Sequence, residues 1–273
     1  MAILEKIVSW AKREEPIKAL ILSGSRAQKE AFDELSDYDI SVFCSSYTFY
    51  TETDAWLEQI ASVWVCIKDH IPFQNLTLPT RLALFDKGIK VDFSFFPLTL
   101  LLQGLLPEEF DQGYRIVLDK ENLTQNLPKP SFQKPKAKRP TKQEFLTVVE
   151  EFWFEAYHVA LYLKRKDLWP LKFRSWAMHT FLLRMIEWHT EAQKDWKEAS
   201  PPLGKKMSSW AGPEILQKLD GIFAHFDAED SKKGLFQTLS LFRSLATDLA
   251  HRLEIAYPEE LDRNIAEFIA KTC

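Results

Sequence analysis

Residues 20–43 read LILSGSRAQKEAFDELSDYDISVF. A compact apolar run breaks at Gly24-Ser25, a polar segment with room for a turn or two of helix follows, and a second run starts at Asp37-Tyr38-Asp39. Side chains along a strand alternate between faces, so Asp37 and Asp39 are expected to point the same way. Two carboxylates aimed together repel unless a cation lies between them. A glycine–serine turn at the end of the neighbouring strand offers backbone N–H groups and a hydroxyl, which suit phosphate oxygens. One strand pair thus presents a metal seat beside a phosphate seat, the requirements of metal-assisted chemistry on a nucleoside triphosphate.

Upstream, Ile3, Ile7, Val8 and Trp10 form the apolar face of a helix that should stop near Pro16, and residues 17–22 read as a buried strand. Downstream, residues 38–44 form the second strand, residues 53–60 read as helical and residues 63–67 as extended. Residues 81–85 and 89–95 flank Asp86-Lys87-Gly88, a hairpin signature with glycine where positive φ is expected. On the second arm Lys90, Asp92 and Ser94 share one face, while Val91, Phe93 and Phe95 share the other. A helical segment over 98–106 and a strand over 113–118 complete this half.

Residues 128–142 then carry Pro128, Pro130, Pro135 and Pro140 together with six basic residues and no acid. Proline at that density excludes helix and sheet interiors, and like charges keep a chain extended, so this is read as a linker. The alternative, in which Lys134, Lys136, Lys138 and Arg139 lean on a polyanion, is the lesser one. Beyond it the pattern turns helical. Phe145, Val148, Phe152, Ala156, Val159 and Leu163 form a core-facing stripe, and Trp176, Ala177, Phe181, Leu182, Met185 and Trp188 form another on a helix that Pro170 can start. Residues 214–226, 235–256 and 258–270 supply three further helices. The expected organisation is α+β: a mixed-sheet domain over 1–127, a linker over 128–141 and an all-α bundle over 142–273.

Composition narrows the function classes. A chain of 273 residues that is 46% hydrophobic has ample material for a core, and a net charge of −4 argues against a stable nucleic-acid partner. Cys44, Cys66 and Cys273 lack metal-ligand spacing and read as free or buried thiols in a reducing compartment. The amphipathic N-terminus has no signal-peptide layout, and no apolar run approaches the roughly 20 residues of a membrane span. A cytoplasmic location is expected.

Gly24-Ser25-Arg26, Asp37-Tyr38-Asp39-Ile40 and Val91-Asp92 together resemble the nucleotidyltransferase superfamily that includes DNA polymerase beta. Glu151-Phe152-Trp153, Arg165 and residues 182–188 (LLRMIEW) extend the resemblance into the second half, towards the aminoglycoside 6-adenylyltransferase (streptomycin adenylyltransferase) family. The resemblance implies transfer of AMP from ATP to a hydroxyl of a small cationic, aminoglycoside-like acceptor. Asp37, Asp39 and Asp92 are then expected to bind two Mg²⁺ ions, roughly 3.5–4 Å apart in sites of this kind, with Gly24, Ser25 and Arg26 at the β- and γ-phosphates. On the first helix of the second domain Glu151, Glu155, His158, Tyr162 and Arg165 fall on one face, expected either as a solvated face or as the far wall of a cleft opposite the aspartates. Glu151 or Glu155 would bind the acceptor's ammonium groups or act as general base, Asp92 competes for the role of base, and His158 reads as structural. Toxin–antitoxin nucleotidyltransferases and non-catalytic nucleotide-binding proteins are the alternative classes.

Overall fold

The computed structural model describes residues 2–28 and 34–273, and the expected helical turns after Arg26 lie in large part outside the described residues. The chain divides into two compact units, one up to Lys134 and the other from Pro135.

The first unit is a six-stranded mixed sheet. Its strands are β1 (Ile17–Ser23), β2 (Tyr38–Cys44), β3 (Val63–Phe73), β4 (Leu76–Phe85), β5 (Ile89–Pro97) and β6 (Arg115–Asp119), in the spatial order β3-β4-β5-β2-β1-β6. β2 and β5 are parallel, and the other neighbours are antiparallel. Helix α1 (Ile3–Arg13) buries Ile3, Ile7, Trp10 and Ala11 against one face of the sheet, where Leu20, Leu22, Ile40, Val42, Val91, Phe93 and Phe95 point. Trp10 stacks on Trp56 at 4.7 Å between centroids, and Tyr50 on Phe95 at 5.6 Å. Helix α3 (Leu98–Leu102) and Phe110 cover part of the opposite face, over Ala19, Ile21, Phe43 and Phe96.

Several expectations are corrected here. The helix over 53–60 is instead a short α2 (Thr48–Glu52) followed by a 3₁₀ turn, Ala55–Gln59. The hairpin turn takes positive φ at Lys87 (+62°) as well as at Gly88 (+73°). β3 and β4 run far beyond the expected arms, to a two-residue turn between Phe73 and Leu76. Pro72 and Pro79 obscured that extension, but β3 is an edge strand and the outer part of β4 reaches beyond its ladder with β5, so a missing N–H is tolerated at both positions.

The second unit is all helical, with α4 (Lys142–Arg165), α5 (Leu168–Gln193), α6 (Pro213–Leu219), α7 (Ala228–Leu253) and α8 (Glu259–Thr272). Thr141 starts α4 through a capping box with Glu144, and Lys166, in the left-handed region at φ +58°, ends it. Pro170 lies in the first turn of α5, where its missing N–H has no partner to lose. Phe145, Val149, Phe152, Ala156 and Val159 meet Leu182, Met185, Phe242, Leu245 and Leu249 in one core. Val149 takes the fully buried place expected of Val148, and Trp176, expected in the apolar stripe of α5, is 67% exposed. The helix expected over 214–226 stops at Leu219, ahead of Asp220-Gly221.

Candidate metal and phosphate site

The parallel register sets Asp39 of β2 opposite Asp92 of β5, and Ser23 of β1 lies opposite Asp39 on the other side. Alternation then decides which face they share. Asp39, Ser41 and Phe43 fall on one side of β2, as do Asp92, Ser94 and Phe96 on β5. Phe43 and Phe96 are packed into the core under α3, whereas Asp37, Asp39 and Asp92 at the other end are only partly buried. Asp37, just ahead of β2, joins them: one carboxylate oxygen from each of Asp37, Asp39 and Asp92 lies within 4.8 Å of the others.

The turn after β1 is built against this cluster. Ala27 N–H donates to the Gly24 carbonyl at 3.0 Å, which leaves Ser25 exposed at the turn's tip. Gly24 has φ +66°, and a Cβ added to it would stand 1.9 Å from Asp39 Oδ2. Only a residue without a side chain lets the turn lie this close to the carboxylate. Arg26 is committed to the backbone leading into the cluster. Its Nε donates to the carbonyls of Ser36 (2.8 Å) and Asp37 (3.2 Å), its Nη2 donates to that of Glu34 (3.1 Å), and the guanidinium lies 4.0 Å over the Tyr38 ring. These bonds brace the segment that delivers Asp37.

Lys90 is the residue that sequence reasoning placed on the right face without assigning it a partner. Its ammonium donates to Asp37 Oδ2 at 3.0 Å and to Asp92 Oδ2 at 2.6 Å. The register carried the signal: one step before the Tyr38–Val91 pair, residue 90 falls beside residue 37. Burial raises the Asp92 carboxyl above the usual carboxylate range. Lys90 pulls the other way without cancelling the effect, and the charges of Asp37 and Asp69 add to the rise. For Lys90 burial favours the neutral amine, but the bonds to the two aspartates outweigh it and hold its pKa above normal.

Asp92 Oδ1 is buried and has no hydrogen-bond partner among the described residues. An orphaned carboxylate oxygen in a group of three carboxylates, with no thiol or imidazole, fits a hard divalent cation. The group can hold one such ion.

In the second unit Glu151 is exposed on α4 and lines a shallow groove with Glu150, Phe154, Tyr157, Leu261 and Ile265. The expected polar face of α4 is broken at Glu155. That side chain is 7% exposed and accepts from Arg174 Nη1 of α5 at 3.0 Å, because α5 packs along that side of the helix. His158 donates from Nδ1 to the Phe154 carbonyl at 2.9 Å, a local helix contact. Among the described residues no helix is long and apolar enough to cross a membrane.

A sequence model of the streptomycin adenylyltransferase family matches residues 1–272. The chain is 25% identical over 275 residues to an aminoglycoside 6-adenylyltransferase of Bacillus subtilis, covering 97% of this chain and 95% of that one. It is 24% identical over 277 residues to one of Campylobacter jejuni, covering 98% and 94%. It is 28% identical over 196 residues to one of Staphylococcus aureus, covering 68% of each. A crystal structure of an aminoglycoside 6-adenyltransferase from Bacillus subtilis aligns with a TM-score of 0.47 and 23% identity, over 100% of this chain and 98% of that one.

Proposed function

The chain belongs to the streptomycin adenylyltransferase family, and on that premise we propose that it transfers AMP from ATP to a hydroxyl of a small, cationic, aminoglycoside-like acceptor of the streptomycin type, in the cytoplasm. The observation that carries this reading is the meeting of Asp37, Asp39 and Asp92 within 4.8 Å, beside the Gly24-Ser25 turn.

Asp37, Asp39 and Asp92 would hold two Mg²⁺ ions, which when bound stabilise charge on the entering and leaving oxygens of an in-line displacement. The exposed Ser25 hydroxyl and the N–H groups of its turn bind the β- and γ-phosphate oxygens. Arg26 keeps residues 34–37 in place, so that Asp37 stays aligned with Asp39. In the reaction the acceptor hydroxyl oxygen bonds to the α-phosphorus, its proton passes to a carboxylate, and the bond from the α-phosphorus to pyrophosphate breaks. Glu151 binds an ammonium group of the acceptor or takes that proton, and Asp92 is the competing base. Positioning and charge stabilisation account for most of such a rate enhancement.

Pyrophosphate release from ATP and Mg²⁺ is expected to depend on added streptomycin. Asp39→Asn is expected to abolish it while leaving the circular dichroism spectrum unchanged. Wild-type turnover in Asp39→Asn removes the assignment, and label transferred from ATP to protein or RNA instead of the small acceptor redirects it.

A further inference from the structure

We propose that Lys90 is a built-in counter-cation, which holds the aspartates together before metal arrives and competes with the metal for them. The inference rests on the reading of Asp37, Asp39 and Asp92 as a metal site.

Three carboxylates within 4.8 Å of one another repel, and a folded chain that holds no metal must offset that repulsion from its own side chains. Lys90 is placed to do so by its strand alone. It precedes Asp92 by two residues, on the same face of β5, and stands beside Asp37 across the parallel ladder. Its ammonium bonds to Oδ2 of both, which puts a positive charge where a bridging cation would lie. Two cations cannot share that position. A divalent ion that takes Asp37 and Asp92 must push the ammonium aside or draw Asp92 through its orphaned Oδ1.

The exchange is physically open. Lys90 is 44% exposed, so its flexible stem can swing the head into water without uncovering any core. Once released, the ammonium stands at the rim of the same site, free to pair with a phosphate oxygen. Metal and nucleotide together then replace the two internal ion pairs of Lys90 with metal–carboxylate and ammonium–phosphate contacts, so the site stays poorly loaded by metal alone.

Mn²⁺ binding measured by electron paramagnetic resonance, without nucleotide, tests the proposal. Lys90→Gln is expected to bind Mn²⁺ on the order of tenfold more tightly than wild type, because a like charge has been removed from the ligands. Lys90→Arg keeps the charge and should remain near wild type. In EDTA Lys90→Gln should melt below wild type, and added Mn²⁺ should close the gap. In the wild-type protein, acylation of the Lys90 amine followed by mass spectrometry should rise when Mn²⁺ is added, a readout that needs no variant to fold. Equal or weaker Mn²⁺ affinity in Lys90→Gln, or labelling of Lys90 that does not rise with metal, overturns the proposal and leaves the metal site standing. If neither protein binds Mn²⁺, the metal reading and this proposal fall together.

Discussion

At the scale of single residues, Gly24 shows how closely the turn and the carboxylates are fitted. With φ +66° and a hypothetical Cβ 1.9 Å from Asp39 Oδ2, Gly24→Ala strains the backbone and displaces the carboxylate. The backbone strain costs on the order of 1–3 kcal/mol, which a urea melt would read as a lower midpoint at unchanged slope. Turnover should fall much further than stability does, since the flexible Asp39 side chain yields before the turn does. Gly24→Ala with normal pyrophosphate release would mean that Asp39 can move freely without consequence, contrary to the role given to it. The same logic explains why Arg26 is so heavily used. Its three hydrogen bonds to carbonyls of residues 34–37 give an otherwise polar segment a fixed end, and Asp37 inherits that order.

At the scale of elements, alternation and register carried most of what could be read without coordinates. β2 begins at Tyr38, and Val91, Phe93 and Phe95 are buried opposite Lys90, Asp92 and Ser94, as the two-residue period dictates. The outer ribbon of β3 and β4 was not legible. Its edge position leaves Lys68, Asp69, His70 and Pro72 exposed, so no apolar periodicity marks it as sheet. Glu155 misled for the opposite reason, because a charge that finds Arg174 across a helix pair looks like any solvated glutamate in the sequence. Arg81 is a third case. It sits in β4 at 2% exposure, donates from Nε to Asp54 at 2.6 Å, and donates to the carbonyls of Thr80 and Thr51, fastening α2 and the following turn onto the sheet. Arg81→Ala removes the donor to Asp54 and to the carbonyls of Thr51 and Thr80, and is expected to cost about 3–5 kcal/mol. Chemical denaturation would show this directly, and a loss within 1 kcal/mol, roughly that of an exposed pair, would mean that water replaces the guanidinium.

At the scale of the whole molecule, each unit has its own core: among the described residues, the buried members of the helical core run from Phe145 onward and those of the sheet cores end at Leu127. Residues 135–273 expressed alone are therefore expected to give a helical spectrum with a cooperative thermal transition. A broad, non-cooperative melt would show that this core depends on the rest of the chain. Within the first unit, the two halves of the site arise on different local pairs. β1 and β2 bring Gly24, Asp37 and Asp39, and the β4–β5 hairpin brings Lys90 and Asp92. Each antiparallel pair can zip up from its own neighbours, but the parallel seam between β2 and β5 joins partners more than fifty positions apart, as with Asp37 and Lys90. Loop-closure entropy makes such a seam late to form. A nascent chain emerging from the ribosome is consequently expected to carry two separate half-sites, and Asp37, Asp39 and Asp92 come together only when that seam closes.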